Sequence, residues 1–140
     1  MAKTKAHTAY KLKNGTRVKG VTTILSNLGW NKNVLVAWAR RTALAGDDPD
    51  AVLKEAGAIG TLAHYLCECD IKGEEPELDD YSAEQIEKAE NAFLGYLEWK
   101  KMTKPKYEAI ELKMVSEKYK VGGTADFVAR INNSLVLGDI

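Results

Sequence analysis

The chain is poor in the residues that staple a fold or seed a metal site: two cysteines, two histidines and three prolines in 140 residues. The cysteines sit together in Leu66-Cys67-Glu68-Cys69. A small secreted domain held by disulfides needs more cysteines at wider spacing. A structural zinc site needs about four ligands, and His7 and His64 are the only histidines, so Cys67 and Cys69 read as reduced, partly buried thiols. No apolar run reaches the roughly 18 residues of a membrane helix. The opening MAKTKAHTAYKLKNG lacks the apolar core of a secretory signal, which points to a cytoplasmic protein without a membrane partner. Twenty Lys and Arg balance twenty Asp and Glu, and a formal net charge of zero argues against a strongly basic, coat-like nucleic-acid binder while leaving local patches open.

What is present suits a single globular domain over residues 1–140, with 45% hydrophobic and 29% charged residues and no repeat or low-complexity tract. Tyr10 to Lys13 and Thr16 to Val18 alternate around Asn14-Gly15, a strong hairpin signal. Thr22 or Thr23 is placed to cap a short helix carrying Ile24, Leu25 and Leu28, ended by Gly29. Asn31 or Asn33 opens a second helix with Val34, Leu35, Trp38 and Leu44 at helical spacing, stopped by Gly46 and Asp47-Asp48-Pro49-Asp50. Residues 51–72 read as a long helix containing Gly57 and Gly60. Each glycine costs about 1 kcal/mol relative to alanine, so close packing or ligand access should need the missing side chains. After an acidic loop over 73–81, Ser82 and Gln85 form a capping box for a helix to about Met102, striped with Ile86, Ala89, Phe93, Tyr96 and Leu97. From Tyr107 the pattern has period two, giving strands over 107–115, 121–131 and 134–140. The fold class is therefore α+β: an N-terminal hairpin, four helices, then an antiparallel three-stranded meander.

Register brings acids together. With Asn132-Asn133 as a two-residue loop, Asp126 lies across from Asp139, Val128 from Leu137 and Arg130 from Leu135. Like charges directly opposite on a sheet are unfavourable unless a cation sits between them. A four-residue loop over 117–120 places Glu111 opposite Asp126, although a bulge at Gly122-Gly123 would shift that pairing. Three carboxylates on three strands suit Mg²⁺ or Mn²⁺. The competing reading is plain solvated acids near strand ends. His64 lies on the long helix after Gly60, with Glu68 one turn later; it is either a surface residue or a ligand to which Gly60 gives access.

Gly60-Thr61-x-x-His64, Glu111, Gly122-Gly123-Thr124-Ala125-Asp126 and Leu137-Gly138-Asp139-Ile140, in that order, resemble the PD-(D/E)XK nuclease superfamily. Within it they are most similar to the RecB-like branch, which includes phage and prophage recombination exonucleases. Val18 to Leu25 also resembles the segment that often precedes the helices of that branch. The resemblance implies a restriction-endonuclease-like core and a metal-dependent DNA exonuclease. It implies catalytic Glu111, Asp126 and Asp139, with Mg²⁺ or Mn²⁺ on His64, Asp126, Asp139 and the Ile140 carbonyl. The family's lysine would follow Ile140 directly, on the same sheet face as Asp139. The resemblance therefore reads the 140 residues as the N-terminal part of a longer nuclease, truncated within the catalytic sheet and inactive alone. The four cysteines that hold an iron–sulfur cluster in some relatives are absent. Implied partners are duplex DNA ends, further copies of the chain and a single-strand annealing protein.

Lys100, Lys101, Lys104 and Lys106 form a basic patch that either contacts phosphates or complements the negative end of the last helix. Trp30, Trp38 and Trp99 have spacings that suit core packing better than wedging of DNA. An alternative to the enzyme is an inactive nucleic-acid-binding or assembly module on the same frame. A strand over 134–140 with one unpaired edge is expected to self-associate.

Overall fold

The computed structural model describes residues 9–29 and 32–140; Trp30, Asn31 and His7 lie outside the described residues. A hairpin of β1 (Tyr10–Lys11) and β2 (Arg17–Gly20) leads into helices α1 (Val21–Ser26) and α2 (Lys32–Leu44). Two longer helices follow, α3 (Pro49–Lys72) and α4 (Ala83–Thr103), and then strands β3 (Lys106–Ser116), β4 (Val121–Ile131) and β5 (Ser134–Gly138). The class is α+β. No helix among the described residues is long and apolar enough to cross a membrane.

Helix ends follow local chemistry. Asp48 accepts a hydrogen bond from the Asp50 amide at 3.0 Å and Pro49 takes the first helical turn, so α3 starts two residues before the expected Ala51. Gly73, at φ 71°, ends it. The capping box of α4 is complete: Gln85 N donates to Ser82 Oγ at 3.2 Å, and Ser82 N donates to Gln85 Oε1 at 3.1 Å. Two expected caps lie elsewhere. Thr22 and Thr23 are inside α1, whose N-cap is Gly20 with no side-chain hydrogen bond, because the chain passes straight from strand into helix. Asn33 is inside α2.

α3 and α4 pack against each other through Leu62, Ala63, Leu66 and Ala89, flanked by Ile59, Ile86 and Phe93. α4 then meets the sheet through rings: Trp99 lies 5.5 Å from Phe127, and Tyr107 meets Phe127 edge-on at 5.5 Å. Trp99 thus packs as its spacing implied. The stripes of α1 and α2 do not form a core: Leu25, Leu28, Val34, Leu35 and Leu44 are exposed, and Trp38 is half-buried.

The meander registers are those read from the sequence. β4 pairs β5 antiparallel with Val128 opposite Leu137 and Arg130 opposite Leu135. β3 pairs β4 with Leu112 opposite Ala125 and Lys113 opposite Thr124. The irregularity falls between Tyr107 and Ala109 rather than at Gly122-Gly123. The hairpin joins the same sheet: β2 runs parallel to β4, with Lys19 opposite Val121 and Gly20 opposite Gly122. β2 and β5 therefore occupy the same edge of β4, one at each end, and the five-stranded sheet is mixed.

Two glycines make these junctions. A Cβ at Gly122 would land within the side chain of Tyr10, and one at Gly138 within the ring of Phe127. An aromatic ring lies over each glycine, covering the strand where a side chain would stand. Gly57 and Gly60 differ: a Cβ at either meets open space, so close packing within the described residues does not account for them.

Candidate metal and phosphodiester site

β4 carries Asp126 just before its pairing with β5 begins at Phe127 and Gly138. The next step of that register is Asp126 with Asp139. The ladder stops there, and the chain turns so that the Ile140 amide donates to Asp126 Oδ2 at 2.8 Å. On the other side, Ile110 pairs Phe127 and Leu112 pairs Ala125, which sets Glu111 across from Asp126. Glu111 reaches that place at φ 52°, a left-handed conformation that a non-glycine residue holds in mid-strand only at a cost of about 1–2 kcal/mol. From α3, His64 brings Nδ1 to 3.4 Å from Asp126 Oδ2, with its side chain 46% exposed.

Burial raises the Asp126 carboxyl above the ordinary carboxylate range. The Ile140 amide and His64 oppose the shift, while Asp139 adds to it by repulsion and by sharing a hydrogen bond. Asp126 is thus a half-buried acid facing an imidazole and a second acid, with a third opposite in register.

The donors are carboxylate oxygens, a main-chain carbonyl and one imidazole, the set that hard divalent cations accept. Neighbouring ligands of an octahedral ion at about 2.1 Å lie about 3 Å apart, close to the His64–Asp126 separation. Among the described residues, no three His, Cys, Asp or Glu side chains are gathered around one point as they stand. The residue types fit a cation; the ligand cage is not fully drawn together.

Beside these residues is an open cavity of about 650 Å³, lined by Gly60, His64, Cys67, Trp99, Phe127 and Asp139 among others. Gly60 thus borders the same space as His64. Cys67 and Cys69 are both free and buried, as their spacing suggested. Burial first, then the nearby carboxylates of Asp70 and Asp126, push the Cys67 thiol up to about 11 from an ordinary 9.0.

A raised thiol pKa favours folding fully below pH 9 and loses that contribution as pH rises through 11. The difference corresponds to about 3 kcal/mol. Urea midpoints measured between pH 8.5 and 11.5 are expected to fall, and Cys67→Ala is expected to remove the part of the fall below pH 10. Above pH 10 Tyr96 and Tyr107, both raised chiefly by burial, add a loss of the same sign. A wild-type midpoint constant up to pH 10.5 would contradict this account.

The basic patch divides. Lys100 Nζ is held by Asp70 Oδ2 at 2.6 Å, and Tyr96, itself linked to Tyr107 at 2.9 Å, donates to the same oxygen at 2.9 Å. Lys100 is thereby committed to an internal network, while Lys101, Lys104 and Lys106 stay exposed. The 30 positions separating Asp70 from Lys100 left no local signal of this pair in the sequence. Tyr10 and Phe127 were also missed, although the motif glycines beneath them were the available hint. No protein-family model, curated protein or solved structure matches the chain, so the candidate site stands on its own geometry and on the resemblance of its motifs.

Proposed function

We propose that the chain carries the metal-binding part of a phosphodiesterase site, that of a metal-dependent DNA exonuclease of phage or prophage recombination type on a restriction-endonuclease-like core. The observation that carries this reading is the meeting at Asp126: His64 arrives from α3, Asp139 follows the β4–β5 ladder, and Glu111 lies opposite on β3. The order of helix followed by three antiparallel strands, with the acid-bearing β4 in the middle, supports the core. Asp126, Asp139, His64 and the Ile140 carbonyl would hold Mg²⁺ or Mn²⁺, with Glu111 as the third acid. Such an ion polarises a phosphoryl oxygen and makes a bound water a nucleophile at neutral pH. Within the chain, the Ile140 amide orients one Asp126 oxygen, and burial keeps Asp126 from solvent screening.

The test is Mn²⁺ binding by calorimetry, checked by the electron-spin signal of free Mn²⁺. Asp126→Asn, which keeps shape and removes charge, is expected to weaken binding at least tenfold, and His64→Ala by less. Equal affinity in wild type and Asp126→Asn would reject the metal site. The competing reading is an inactive nucleic-acid-binding module on the same frame. That module predicts DNA binding indifferent to Mg²⁺ and no measurable Mn²⁺ uptake.

A further inference from the structure

The zero net charge conceals a segregation. Residues 1–46 hold nine Lys and Arg and no Asp or Glu, while residues 47–140 hold eleven cations and all twenty anions. Lys3 and Lys5 lie outside the described residues. On the hairpin, Lys11 is the direct partner of Arg17, and Lys19 lies two residues further along β2, so three cations share one face. Like charges opposite each other on a sheet are destabilising. Yet Lys11, Arg17, Lys19 and the neighbouring Lys13 are all exposed, and none forms an ion pair with another described residue. The opposite face is fixed: Tyr10, beside Val18, covers Gly122 and bonds Thr124 Oγ1 at 3.0 Å.

We propose that this cationic face of the hairpin binds the phosphodiester backbone of a nucleic-acid strand and leads it to Asp126. The inference rests on the nuclease reading above and assigns its substrate track to Lys11, Lys13, Arg17 and Lys19 rather than to the patch around Lys100. Repulsion held across a hairpin is relieved by a polyanion with regularly spaced charges. Lys19 lies opposite Val121, five residues or about 17 Å along β4 from Asp126. Asp126 shares the face of Gly122 and Thr124, so the strand would reach it over the edge of β4 that is unpaired between Gly122 and Phe127. An anionic membrane is the weaker occupant. Of the exposed apolar side chains on α1 and α2, Ile24 borders Arg17 and Lys19, and a single isoleucine gives little apolar area to insert.

The experiment compares the whole chain with the variant carrying Lys11→Gln, Lys13→Gln, Arg17→Gln and Lys19→Gln. Fluorescence anisotropy of an end-labelled duplex of about 20 base pairs is followed across about 50–200 mM KCl, with circular dichroism confirming that the variant is folded. The variant is expected to bind at least tenfold more weakly at about 100 mM salt. Its slope of log affinity against log salt should be shallower by about 3. A second variant, Lys101→Gln with Lys104→Gln and Lys106→Gln, should stay within threefold of wild type. Equal binding by wild type and the hairpin variant, no duplex binding by wild type, or binding to phosphatidylserine vesicles in place of duplex would each overturn the proposal. Mn²⁺ titration separates it from the reading it rests on. A chain that binds Mn²⁺ at Asp126 but loses no duplex affinity in the hairpin variant overturns the track alone. A chain that loses duplex affinity as expected but takes up no Mn²⁺ upholds the track and overturns the nuclease reading.

Discussion

Gly122→Ala is expected to cost about 3 kcal/mol of stability and to lower the melting temperature by about 10 °C. The new methyl would fall within the Tyr10 side chain, meeting Cβ and Cγ as well as Cδ1. Cβ is fixed to the backbone, so rotating the ring does not clear the clash and β1 itself has to move. Moving it strains the Tyr10–Thr124 hydrogen bond, the contact of Lys113 Nζ with the Tyr10 ring at 5.4 Å, and the pairing of Gly20 with Gly122. Overpacking alone costs 1–3 kcal/mol, so these losses place the effect at the upper end of that range. Tyr10→Ala removes the obstacle, and in the double variant the cost of Gly122→Ala should shrink to below about 1 kcal/mol. A single variant within 0.5 kcal/mol of wild type, or a double variant whose losses simply add, would show that the hairpin does not lie over β4 as described.

Leu62→Ala is the second large effect, expected at about 3–4 kcal/mol in urea unfolding. Leu62 is fully buried between α3 and α4, in a cluster with Leu66, Ala63 and Ala89 flanked by Ile59, Ile86 and Phe93. Leucine-to-alanine changes in such sites cost 2–5 kcal/mol, the spread reflecting how far the surroundings collapse. Here two helices hold the site from opposite sides, and α4 is itself tied to the sheet by Trp99 and Phe127. A cost below about 1 kcal/mol would mean that the α3–α4 contact is not the main core. The same substitution at Leu94, 56% exposed on the other side of α4, should change stability by less than about 0.5 kcal/mol.

What could be read in advance was what short-range rules encode. The Ser82 capping box needs only three residues of chain, and the Asn132-Asn133 turn fixes the β4–β5 register with no knowledge of the rest of the molecule. The two strand pairings that converge on Asp126 were therefore legible, and so was His64 as a candidate. The docking of β2 beside β4 was not, because a parallel pairing carries no turn signature and its partner is far along the chain. Lys100 illustrates the same limit at the level of one side chain. Its spacing showed a cation near a helix end, but only the packing of α4 against α3 shows that Asp70 holds it. Glycines were legible as signals but not as reasons: Gly122 and Gly138 make room for aromatic rings from elsewhere, whereas Gly60 borders open space beside His64.

The parallel pairing of β2 with β4 also bears on the order in which the molecule assembles. Joining Gly20 to Gly122 closes a loop of roughly 100 residues, an entropic cost that the contacts of β3 with β4 and β4 with β5 do not carry. Those local pairings, with the α3–α4 contact, are positioned to form first and to present β4 as a template with one end of its edge unfilled. The hairpin is then expected to arrive last, seated by Tyr10. Disturbances within it accordingly act mainly on how fast the native state comes apart and little on how fast it forms.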